Sequence, residues 1–119
     1  MKEVSNALAD GQAGSITITA EDGLEITADY YPNSKATTLI ILCHQAGYSR
    51  GEYSKIAPRL VDSGFACLAI DQRSGKLANE VFNETAKRAE AKGMSTNYID
   101  SKADIIAAVD YIKANTDKK

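Results

Sequence analysis

The stretch Leu39-Ile40-Ile41-Leu42-Cys43-His44-Gln45-Ala46-Gly47-Tyr48-Ser49-Arg50-Gly51 joins an unbroken apolar run to a polar, glycine-bearing loop. Apolar residues without alternation mark a strand covered on both faces, so the segment from Thr37 to His44 is expected inside a sheet. A buried strand that empties into such a loop ahead of a helix leaves backbone N–H groups beside a helix N-terminus. Negative charge is stabilised there.

Downstream, Glu52 to Ser63 sets Ile56, Leu60 and Val61 on one side and closes at Gly64, which predicts a helix. Pro58 marks either its first turn or a kink, and the former moves the helix start toward Ile56. Phe65 to Asp71 is a second continuous apolar strand, and a strand-helix-strand unit with short joints predicts a parallel pair. Aligning Thr38 with Phe65 puts Cys43 opposite Ile70. Cys43 and Cys67 are then about 10 Å apart along the strand, too far for a disulfide, and both read as small buried hydrophobes.

Upstream, Ser15 to Ala20 and Leu24 to Tyr30 alternate apolar and polar residues around Glu21-Asp22-Gly23, the pattern of an antiparallel hairpin. Lys76 to Tyr98 is polar and reads either as a surface excursion or as a short helix from Asn79 to Ala91 ended by Lys92-Gly93. Ser101 and Asp104 fit a capping box for a last helix reaching Asn115, with Ile105, Val109 and Ile112 at helical spacing. The expected architecture is one α/β domain over residues 1–119, with 1–14 as a flexible N-terminal segment. Its sheet is expected to be mostly parallel, of about four strands with the hairpin at its N-terminal end, beside two to three helices.

The 119 residues carry 14 Lys+Arg against 16 Asp+Glu, a net charge of -2. No basic field is available to hold nucleic acid or an anionic membrane, and neither is expected as a partner. The longest apolar run is far too short to cross a bilayer, so a soluble protein, cytoplasmic by default, is expected. No phosphate-loop or dinucleotide glycine pattern occurs, nor any Cys/His grouping at zinc spacing, so neither cofactor nor metal is expected.

His44-Gln45-Ala46-Gly47 at one strand end, Asp71-Gln72-Arg73-Ser74-Gly75 at the next, and Gly64-Phe65 between them resemble the α/β-hydrolase superfamily, in particular its dienelactone-hydrolase-like esterases. The resemblance runs from about Ile16 to Asn115 and implies hydrolysis of a small carboxylic ester. It assigns the Ala46 N–H as one oxyanion donor and sets His44, Gln45, Gly47, Tyr48 and Arg50 around the substrate. Gln45 stands where the family more often has glycine.

Gly47-Tyr48-Ser49-Arg50-Gly51 also matches the nucleophile-elbow pattern G-x-S-x-G and offers Ser49 as a nucleophile. An elbow needs its strand to run straight into the first glycine, whereas Gln45 and Ala46 intervene here. The family order also sets histidine after serine, and the only histidine, His44, precedes Ser49. A Ser49 hydroxyl bonded to its own loop, a His44 that anchors the loop, and an Asp71 and Arg73 that fix turn geometry are the favoured roles. Arg50 either meets a substrate carboxylate or pairs with an acid such as Glu52.

The chain is thus expected to be the N-terminal portion of a serine-type hydrolase, truncated before the nucleophile, acid and histidine, and inactive by itself. Two alternatives stand beside it. One is a non-catalytic module that forms dimers through the edge of Leu39–Cys43, and the other a minimal esterase using Ser49 with His44.

Overall fold

The computed structural model describes residues 14–116, so the expected flexible segment lies outside the described residues but for Gly14. Strands β1 (Gly14–Thr19) and β2 (Glu25–Tyr31) form the expected hairpin, in register from Gly14 opposite Tyr30 to Thr19 opposite Glu25. Gly23, which donates to Ala20 O, lies in the five-residue connection at φ 88°, a left-handed position that glycine occupies at no steric cost. Strand β3 is Leu39–Cys43 and β4 is Ala66–Ile70. They pair in parallel with Cys43 opposite Ile70, the expected register, and both cysteines are free.

The sheet is mixed, not mostly parallel. Its order is β1-β2-β4-β3, and β2 pairs antiparallel with β4, Ala28 opposite Ile70 and Tyr31 opposite Cys67. Strand β2 thus lies inside the sheet, and its Asp29 and Thr27 side chains are satisfied by Arg50 and Arg88. Polar residues with charged partners sit in a central strand as well as apolar ones do.

Between β3 and β4, Arg50–Tyr53 forms a 3-10 turn and α1 spans Ile56–Asp62, with Pro58 in its first turn. The expected longer helix from Glu52 divides there. After β4, Leu77–Ala78 (β5) and Val81–Phe82 (β6) make a short hairpin whose turn residues Asn79 and Glu80 both have positive φ. Helix α2 is Glu84–Ala91, not Asn79–Ala91, because Asn83 accepts the Ala86 N–H as its N-cap. A second 3-10 turn, Tyr98–Ser101, leads into α3, Lys102–Asn115.

The capping box expected at α3 is absent. The Ser101 hydroxyl donates to Ser74, and the buried Asp104 carboxylate takes the backbone amide and guanidinium of Arg73 instead of an amide of its own helix. A buried charge has more to gain from an opposite charge than from a neutral donor. Helix α3 packs Ala108 and Ile112 on the sheet face of Ile26, Ala28, Leu68 and Ile70, while α1 sets Ala57 against Leu42, Cys67 and Ala69 on the other. No helix among the described residues is long and apolar enough to cross a membrane.

Candidate functional site

The loops after β3 and β4 leave the same end of the parallel pair, and Gln45 to Tyr48 makes a tight turn there. The Tyr48 N–H donates to Gln45 O at 3.1 Å, and Gly47 has φ 87°. Ala46 is not among the residues with positive φ, so the turn is type II, with Ala46 at its first central position. A type II turn needs positive φ at its second central position, and glycine meets that need.

Three of the four amides in this turn are used. Gln45 N–H donates to Glu52 Oε1 at 3.0 Å, Gly47 N–H to Ser74 O at 3.0 Å, and Tyr48 N–H to Gln45 O. The exposed Ala46 N–H has no partner among the described residues. An unpaired amide on a turn whose other amides are tied down is a fixed donor.

His44 is 3 % exposed, and its Nε2 accepts the Gln72 N–H at 2.8 Å. The proton therefore sits on Nδ1, which lies 2.8 Å from Gln45 O and donates to it. Both ring nitrogens are engaged by backbone. The Asn83 carboxamide donates to Gln72 O at 2.6 Å and to Tyr48 O at 3.2 Å, and approaches His44 Nε2 at 3.3 Å. A Cβ on Gly75 would collide with Tyr48 O and with the Asn83 amide, so glycine is what lets the two loops touch.

Ser49 is fully buried. Its hydroxyl donates to Val81 O at 2.7 Å and accepts the Gly51 N–H at 3.1 Å, capping the 3-10 turn. Arg50 is 8 % exposed and points inward, with Nη1 2.6 Å from Asp71, Nε 3.0 Å from Asp29 and Nη2 3.5 Å from Glu84. Asp71 also accepts the backbone amides of Arg50 and Glu84. Arg73 joins Asp104 and Asp22, and Asp104's hydrogen bonds foremost hold its guanidinium more firmly protonated than usual.

Of the loop residues singled out by sequence, the structure thus presents Gln45, Ala46, Gly47 and Tyr48 at the surface and buries His44, Ser49 and Arg50. Glu52, expected as a partner of Arg50, instead accepts the Gln45 N–H, and with Gln72 and Asn83 it holds the loop in place, while Arg50 takes Asp29, Asp71 and Glu84. No three His, Cys, Asp or Glu residues gather as a metal site among the described residues.

No described protein family and no curated protein matches the sequence. Solved structures do match in shape. An esterase of Pyrococcus furiosus superposes with a TM-score of 0.63 at 17% identity, over 94% of this chain and 38% of its own. A cold-adapted esterase from an Arctic intertidal metagenomic library superposes at 0.57 with 22% identity, over 89% of this chain and 46% of its own. The likeness is one of fold, and the chain spans less than half the length of either esterase.

Proposed function

We propose that this chain forms the first part of an α/β-hydrolase-type catalytic domain, of the dienelactone-hydrolase-like kind, that cleaves carboxylic esters. Its contribution is one oxyanion donor, the Ala46 N–H. The observation that carries the reading is the turn in which Ala46 alone keeps a free, exposed amide at the end of β3. Such a donor stabilises the charge that develops on the ester's carbonyl oxygen as it becomes tetrahedral.

The buried Ser49 hydroxyl and the doubly bonded His44 ring favour a nucleophile, acid and histidine supplied by further polypeptide. Gln45, Gly47 and Tyr48 then border the substrate, and His44 and Arg50 act from beneath the loop. Ala46→Pro tests this directly. Proline suits the first central position of a type II turn, so it deletes the N–H while keeping the backbone course.

In the protein as expressed from its own reading frame, p-nitrophenyl acetate turnover is expected, with kcat falling about 100- to 1,000-fold in Ala46→Pro and folding intact. A product of 12.8 kDa without turnover, or a variant with unchanged kcat, would sink the reading. A second reading rests on the edge position of β3, which pairs only with β4 among the described residues. Such an edge joins two copies of the chain, and a monomeric sedimentation mass at high concentration would oppose that.

A further inference from the structure

The Ala46 N–H shares its peptide plane with the Gln45 carbonyl, and that carbonyl is held by two donors. His44 Nδ1 lies 2.8 Å from Gln45 O, and the Tyr48 N–H donates to the same oxygen at 3.1 Å. In a trans peptide the C=O and N–H bonds point in opposite directions, so whatever fixes one aims the other. The buried His44 ring draws the carbonyl inward, and the N–H of the exposed Ala46 is thereby directed out. A carbonyl that accepts two hydrogen bonds also polarises its peptide, which strengthens the N–H as a donor.

His44 can do this only with its proton on Nδ1. Two donors face its other nitrogen, the Gln72 N–H at 2.8 Å and the Asn83 carboxamide nitrogen at 3.3 Å, and a proton on Nε2 would oppose both. Asn83 cannot present its oxygen there instead, because that oxygen accepts the Ala86 N–H at 2.8 Å and caps α2. The tautomer is therefore set by the end of β4 and the start of α2. From this arrangement we infer that His44 is a positioning residue, which aims the Ala46 N–H at the substrate's carbonyl oxygen through the Gln45–Ala46 peptide. The inference rests on the reading of Ala46 as an oxyanion donor. It gives His44 a part in ester cleavage with no proton transfer and no contact with the substrate.

Two carboxamide variants separate aim from packing. His44→Asn sets an NH2 group where Nδ1 stands and keeps the donor to Gln45 O. His44→Gln reaches the Nε2 position, keeping an acceptor for the Gln72 N–H but losing that donor. Both give up the ring, so lost packing weighs on them alike. In the protein as expressed from its own reading frame, with p-nitrophenyl acetate, kcat is expected to be about three- to tenfold higher in His44→Asn than in His44→Gln, with KM alike in the two.

The ring supplies a second readout that needs no variant. His44 is the only histidine in the sequence, so the chain gives one pair of ring-nitrogen resonances, and the neutral ring is expected to carry its proton on Nδ1. A neutral ring protonated on Nε2 would overturn the inference. So would a kcat in His44→Asn no higher than in His44→Gln while Ala46→Pro still loses turnover, and either result leaves the Ala46 reading standing. Wild-type protein without turnover, or Ala46→Pro with unchanged kcat, would sink both.

Discussion

Glu80 holds φ at 68° and its neighbour Asn79 at 47°, the two central positions of the turn between β5 and β6. A left-handed backbone crowds the Cβ of any residue but glycine, and Asn-Gly is the pair such turns favour. Glu80→Gly is therefore expected to raise stability by about 0.5–1 kcal/mol, read as a higher urea midpoint with an unchanged slope. Gln72→Leu is expected to stabilise as well, since it removes a buried oxygen with no partner. A lowered melting temperature in that variant would mean the carboxamide has a partner in solution. At this scale the sequence was informative about Ala46, whose place follows from a strand ending in a loop. At Ser49 a hydroxyl bonded to its own loop was legible, as its bond from the Gly51 N–H has it, but its donation to Val81, 32 positions away, was not.

The elements hold together through buried charge at the loop ends. Asp104 on α3 is fully buried and takes Arg73 through its backbone amide at 2.8 Å and through its guanidinium at 2.7 Å. Asp104→Ala leaves the buried Arg73 guanidinium with Asp22 alone, and a loss of about 3 kcal/mol, the low end for a broken buried pair, is expected in urea unfolding. That is a large part of the stability of a small domain. Apolar periodicity made β3, β4, α1 and α3 legible, as did the hairpin's alternation, because those patterns depend on near neighbours in the chain. The antiparallel docking of β2 on β4 was not legible, nor was the β5–β6 hairpin. The first depends on partners 36–42 positions apart, and each strand of the second has only two residues to show a period.

Across the whole molecule, acid should act through the ion pairs that tie the hairpin loop to β4. Chiefly its hydrogen bond with Arg73 holds the Asp22 carboxyl below its ordinary value of 3.8. A depressed carboxylate stabilises the fold above its unfolded value, and that share is lost as pH falls through the lower, folded one. Wild type should exceed Asp22→Asn in urea midpoint at pH 5, with the gap closing as pH drops below 3.8. A gap that stays constant down to pH 2.5 would count against this. Asp22 is partly open to solvent, so the effect is small.

The sheet order has a temporal side. Strand β4, with all five residues buried, lies between β2 and β3 although both precede it in the chain. During synthesis β2 and β3 must wait, each with an apolar edge uncovered, until Ala66–Ile70 has emerged to pair with both. Ala28 and Ile70 then close a loop of 42 positions, a nonlocal contact of the kind that slows folding. A ribosome stalled before Ile70 therefore carries a sticky, half-built sheet, and the arrival of Ala66–Ile70 covers β2 and one side of β3 at once.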